Sequence, residues 1–371
     1  MRQIFPAELR TAAGEILRFI PIGVWHTLFP KSAVGLCYHT VSDTFLPHIK
    51  HYPTLSAAAF ERDLVYLQKT FRFTSYDELA DRRAASNIAK DNPIVLTFDD
   101  GFSQCAEIVA PILLRRDIPC IFFVITDLID NKVMFRESAT SLCIDALLRL
   151  PDEQVLEIVR ELELESHLRA VPKASLFKSP RTPLDIAGLD GRSRPSLRPL
   201  LHWLLTVTPE EKDVLDRLCA RLGINEQAYL QTVGPYLSSQ QIRQLHSSGF
   251  TIGAHSRTHR LLQTLSEGDA ESEIVKSCEI VRQITGQQSV PFAFPYFGKG
   301  IDRAWLAGIR RRHSDVGLFF DTDGLRNDAP FVVQRAFGER FTRDRTIDAI
   351  LRRAWSRPQA WGSKTRLPPA G

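Results

Sequence analysis

Ile94-Val95-Leu96-Thr97-Phe98-Asp99-Asp100-Gly101 sets a β-branched and aromatic run directly against two carboxylates and a glycine. The apolar run is short, uninterrupted and made of strand formers, which predicts a buried strand of a parallel sheet. Two adjacent acids at its end cannot both face a core. One can hold a metal ion while its neighbour works as a base, with the glycine turning the backbone sharply beneath them. The bland reading is a strand-to-helix turn capped by Asp, which Asp-Asp-Gly also suits.

The same rhythm recurs on both sides. Upstream, Val34–Tyr38 reads as a first strand ending in His39-Thr40, and Ser56 opens a helix with Phe60, Leu64 and Leu67 on one face. Ser75 and Glu78 have capping-box spacing for a short helix. Downstream, a helix over residues 103–116 is expected to kink at Pro111, and 120–125 is another apolar strand. Further strands are predicted at 250–253, 291–294, 316–320 and 331–335, with helices at 238–246, 266–285 and 346–355. Seven strands alternating with helices predict an α/β fold, a distorted (β/α) barrel of about seven strands; a doubly wound open sheet is the alternative.

The alternation breaks between about 137 and 236. Amphipathic helices are predicted at 139–150 and 153–164, and another from the cap Thr208-Pro209 to Leu222. Residues 171–199, rich in Pro, Ser, Arg and Gly, read as an irregular excursion. We read 137–236 as a helical insertion into one domain over 33–345. A helical segment over 1–32 precedes that domain, and a helix with a basic tail over 346–371 follows it.

The chain of 371 residues is long enough for a large core, and its 44% hydrophobic and 24% charged residues are ordinary for a globular protein. A net charge of +4 does not point to nucleic acid, and none is expected as a partner. The six cysteines include no C-x-x-C pair, so buried reduced thiols are expected rather than a disulfide framework or a structural zinc site. Residues 16–29 are apolar but interrupted by Arg18, Pro21 and His26, a poor signal peptide and too short to span a bilayer. A cytoplasmic location is the expectation, with peripheral membrane contact through the N-terminal segment.

In a barrel of this kind, function gathers at the C-terminal ends of the strands. His39 follows the first strand, Asp99 and Asp100 the second, and His255-Ser256-Arg257-Thr258-His259 the fourth. Pro295 and Tyr296, then Asp321 and Asp323, then Arg335 follow or end the later ones. A compact turn can aim His255 and His259 at one ion, and one Asp carboxylate completes a two-His, one-carboxylate set with positions open for water and substrate. No cysteine belongs to the set, so zinc or another borderline divalent ion suits it.

Thr97-Phe98-Asp99-Asp100-Gly101, His255-Ser256-Arg257-Thr258-His259 and Phe292-Ala293-Phe294-Pro295-Tyr296 resemble, in order, the first three motifs of the NodB-homology polysaccharide deacetylases, the fourth carbohydrate esterase family. Tyr38-His39-Thr40-Val41-Ser42 resembles the exopolysaccharide-deacetylase branch. The resemblance covers roughly 33–135 and 236–340. It implies a deformed β/α barrel and removal of N-acetyl groups from N-acetylhexosamine units of a poly-, oligo- or lipid-linked saccharide. It implies Asp100, His255 and His259 as ligands of a divalent cation, expected to be zinc, and Asp99 as base toward the attacking water. Pro295 and Tyr296 would line the sugar site, with the backbone N–H near Tyr296 helping to bind the oxyanion.

Two departures stand out. Ala293 and Phe294 occupy the region where the family's third motif carries an Arg that orients the base. No His follows His313, where the family's last motif supplies a general acid. Arg335 is the candidate to orient Asp99 instead, and His39 the candidate acid or sugar contact. A catalytically weak or inactive carbohydrate-binding member of the same fold is the alternative function.

Overall fold

Eight strands form in a computed structural model, seven of them largely buried, which describes residues 34–84, 93–169, 197–326, 328–339 and 346–356. The strands are β1 (Val34–Tyr38), β2 (Arg72–Phe73), β3 (Pro93–Phe98), β4 (Cys120–Val124), β5 (Thr251–Ala254), β6 (Val290–Ala293), β7 (Val316–Asp321) and β8 (Val332–Phe337). Neighbours pair in parallel in the order β1-β8-β7-β6-β5-β4-β3, and β1 pairs with β3 to close the ring. The result is a closed parallel barrel of seven strands, not an open sheet. The two-residue β2 adds to the start of β3 through Arg72–Pro93 and Phe73–Ile94.

Side chains alternate across each strand. One set fills the barrel with Val95, Ile121, Phe123, Ala293, Leu318, Phe320 and Val333, and Tyr76 and Leu79 join that cluster. The other set meets the surrounding helices: Phe60 of helix Ala57–Thr70 packs edge-on against Tyr38 and Phe98, at 5.5 Å from each ring. That helix starts where expected, with the Ser56 side chain accepting from the Ala59 N–H. The segment after β3 differs from the single kinked helix expected there. A π-helical turn, Cys105–Val109, leads into the short helix Ala110–Leu114, with Pro111 in its first turn. Proline lacks the N–H an interior position needs, and a wide turn just before it removes that demand.

Among the described residues, these strands and their helices form one compact unit with those of 54–126 and 238–356, and those of 42–53 and 127–237 form a second. The second unit is helical, with Arg136–Arg149, Asp152–Glu161, Arg198–Leu204, Lys212–Arg221 and Glu226–Val233 among its elements. Glu211 accepts the Thr208 N–H at 2.9 Å, and the Asn225 side chain caps the last of these helices. Helices 198–204 and 226–233 are additions to the predicted set, the second starting at the N-cap Asn225, a start signal that is present in the sequence. The segment 1–32, most of the excursion over 171–199 and the tail beyond 356 lie outside the described residues. All six cysteines are buried and free. Among the described residues no helix is long and apolar enough to cross a membrane.

Candidate active site

Asp99 and Asp100 follow β3 with different principal partners, both within 4 Å of His255 Nε2, and the backbone turns sharply beneath them. Asp100 and Gly101 both lie in the left-handed region, each at φ 72°. A side chain at position 101 would be strained by that φ and would crowd Val124. Ser256, His259 and Tyr296 also have positive φ, at 62°, 57° and 60°. Non-glycine residues hold such angles only where their surroundings over-determine them, and here they gather at neighbouring strand ends.

Asp100 meets the two histidines. Its Oδ1 lies 3.4 Å from His255 Nε2 and 3.5 Å from His259 Nε2, and all three side chains are buried. Ligand atoms of the three lie within 4.8 Å of one another. His255 is held from behind, its Nδ1 2.9 Å from the Ala293 carbonyl. That carbonyl can only accept, so Nδ1 donates to it and Nε2 is the ring atom that faces the Asp100 carboxylate. A carboxylate and two imidazole nitrogens brought together in a buried space are a set that can ligate a cation. The spacing also fits: ligands at about 2.0–2.1 Å around a tetrahedral ion stand roughly 3.3–3.4 Å apart. These residues can hold a divalent cation.

Asp99 faces the barrel interior and is bound by Arg335. Nη1 of Arg335 donates to Oδ1 at 2.6 Å and Nη2 to Oδ2 at 2.9 Å, a bidentate pair. Nη1 also reaches Thr97 Oγ1 at 2.9 Å, and Cys37 Sγ donates to Asp99 Oδ2 at 3.3 Å. Burial pushes the Asp99 carboxyl upward. The Arg335 charge and hydrogen bonds, with His255 and His39 adding to them, outweigh it and hold the group at about 2. Arg335 is itself fully buried and stays charged, its pKa raised by Asp99 against the cost of burial. Gly35 stands opposite Arg335 in the β1–β8 register, and a Cβ there would collide with the arginine stem.

His39, at the end of β1, is buried beside both acids. Its Nε2 lies 4.0 Å from Asp100 Oδ2. Its Nδ1 is 2.7 Å from Glu339 Oε2, and its backbone N–H donates to the other Glu339 oxygen. Glu339 was not among the sequence candidates. It lies 300 residues from its partner, and nothing marks it in sequence beyond being a carboxylate just past the last strand.

Tyr296 stacks at a tilt over His259, 4.8 Å between ring centroids, with Pro295 buried just before it. Asp321, at the end of β7, ties the turn that follows: Oδ1 accepts the Gly298 N–H at 2.8 Å, and Oδ2 pairs with Arg303 at 2.9 Å. Asp323 instead pairs outward with Arg326 at 2.9 Å. The structure thus brings His39, Asp99, Asp100, His255, His259, Tyr296 and Arg335 to one end of the barrel.

A family model for polysaccharide deacetylases matches residues 86–175 and 218–308, spanning the strand that carries both acids and the His255–His259 turn. The chain carries a polysaccharide deacetylase domain. It is a hydrolase of the deacetylase type, and its substrates are carbohydrates. No curated protein matches the sequence. Among solved structures it is similar to the deacetylase PplD of Streptococcus pyogenes, determined with acetate, at 12% identity and a TM-score of 0.51, covering 87% of this chain and 97% of that one. It is also similar to IcaB of Ammonifex degensii, at 18% identity and a TM-score of 0.48, covering 89% and 98%. At these identities the likeness to PplD bears on the fold.

Proposed function

We propose that this deacetylase removes N-acetyl groups from N-acetylhexosamine units of a saccharide, using a divalent cation, zinc for preference, held by Asp100, His255 and His259. The observation that carries this reading is the division of labour between adjacent acids: Asp100 faces two histidines while Asp99 is paired with an arginine. When bound, the cation supplies Lewis acidity, polarising the acetamide carbonyl and acidifying water.

The chain's own residues supply the rest. Asp99 takes a proton from the attacking water; its carboxylate is ionised at any working pH and is aimed by Arg335 and Cys37. The backbone N–H of Tyr296 donates to the developing oxyanion, its turn held by Asp321 through Gly298. His39 protonates the leaving amine from Nε2, its ring oriented through Nδ1 by Glu339. The products are acetate and a free amino sugar. Arg335 on the last strand pairs with Asp99, and His39 just after the first lies 4.0 Å from Asp100, which supports giving them the roles of orienting arginine and acid. This arrangement favours catalysis over a binding-only member of the fold.

The test is acetate release from N-acetylglucosamine oligomers before and after metal removal. Chelation is expected to abolish release and Zn²⁺ to restore it, while Asp99→Asn binds zinc without turnover. Release that survives both chelation and Asp99→Asn would overturn the proposal. Zinc binding without acetate release by the wild type would favour the binding-only alternative.

A further inference from the structure

Helix Glu267–Thr285 directs one carboxylate into the turn that carries His259. Glu273 is nine-tenths buried, yet it is fully engaged. Its Oε2 accepts the backbone N–H of Arg257 at 2.8 Å and of Thr258 at 3.0 Å, and its Oε1 accepts the Thr258 hydroxyl at 2.8 Å. Two successive backbone N–H groups converging on one carboxylate oxygen make an anion-binding nest, here filled by a side chain of the same protein. The ends of the turn are tied separately. Thr126 N–H donates to the Ser256 carbonyl at 3.1 Å, and His259 N–H donates to Ser256 Oγ at 2.9 Å.

The turn needs this support. His255 sits at a strand end and is oriented by the sheet and the Ala293 carbonyl. His259 has no strand or helix beneath it, and both it and Ser256 have positive φ. Each such residue is strained and persists only when its surroundings impose it. The middle of the turn, Arg257-Thr258, is held by Glu273.

We propose that Glu273 is a positioning residue for the cation site: by binding Arg257 and Thr258 it sets the turn that aims His259 at Asp100 and His255, and so sets the affinity of the site for a divalent cation. This rests on the reading of Asp100, His255 and His259 as the ligands. Glu273 touches neither cation nor substrate, and its contribution is to the geometry of one ligand.

The experiment is a titration of Zn²⁺ into the metal-stripped full chain in competition with a chromogenic chelator, with thermal unfolding recorded for each variant. Glu273→Met keeps the stem and removes every acceptor; it is expected to weaken zinc binding roughly 10–100-fold, the usual cost of losing a group that orients a ligand. Glu273→Gln keeps one acceptor oxygen and an amide that can donate to the Thr258 hydroxyl, so it is expected to restore most of the affinity. Thr258→Val changes an exposed residue, which keeps the test usable if Glu273→Met does not fold, and it is expected to weaken zinc binding several-fold. Glu271→Gln, on the same helix but paired with Arg312 at the surface, is expected to leave affinity unchanged. Folded Glu273→Met or Thr258→Val protein with wild-type affinity would overturn the inference and leave the ligand assignment standing. A wild-type chain that binds no zinc would overturn both.

Discussion

Replacing Arg335 by Met removes the guanidinium from Asp99 while keeping most of the stem volume. Both side chains are almost wholly buried, Arg335 1% and Asp99 3% exposed, so solvent cannot replace the lost charge. Asp99 now sits at about 2 because the arginine outweighs burial. Without it, burial dominates and the carboxyl should rise by roughly 3 pH units. At about 1.36 kcal/mol per unit, that corresponds to about 4 kcal/mol. The figure agrees with the 3–5 kcal/mol typical of removing one partner from a buried ion pair. The sign follows from linkage. In the wild type the folded-state value lies below the unfolded one, so the pair's stabilisation is present above about pH 4 and is lost only as pH falls through about 2. In Arg335→Met the folded value lies above the unfolded one, so the charged carboxylate destabilises at neutral pH and the penalty fades on acidification. The assays are kcat/KM for acetate release against pH, and Tm against pH. The variant should gain an acid limb near pH 5, with a Tm deficit widest above pH 5 that narrows toward pH 3. An unmoved acid limb together with a Tm offset constant in pH would refute the claim that Arg335 sets the charge of Asp99.

Gly35→Ala places a methyl group against the Arg335 stem and is expected to cost about 1–3 kcal/mol by overpacking, with a fall in kcat. In an Arg335→Ala background, which removes the Cγ and Cδ that the new methyl group would meet, the same change should cost less, and strictly additive Tm losses would show that the two sites do not communicate. His39→Gln is expected to lower kcat by roughly 10²–10⁴-fold with little change in KM, and Glu339→Gln to lower it by less; unchanged kcat in His39→Gln would remove His39 from the mechanism.

How legible each part was in sequence depended on how local its cause is. The strands announced themselves because a run such as Ile94–Phe98 buried on both faces must be apolar throughout, and seven such runs between helices leave few topologies. Closure of the ring did not follow, since the β1–β3 pairing joins residues some sixty positions apart through register alone. The His255–His259 spacing and the adjacent acids were readable because their atoms must come together over a few residues of backbone.

The groups that orient them were less so. Arg335 was readable only as a polar residue ending a strand; its contact with Asp99 depends on the β1–β8 register and on the room Gly35 leaves. Glu339 and Glu273 carried no local signal, because their partners lie 300 and about 15 residues away and any surface carboxylate looks the same in sequence. The sequence by itself determined a set of buried strands alternating with helices, with two acids and two histidines at strand ends. Only the tertiary structure decided which acid faces the histidines and which the arginine, because the left-handed turn at Asp100-Gly101 points neighbouring carboxylates into different surroundings.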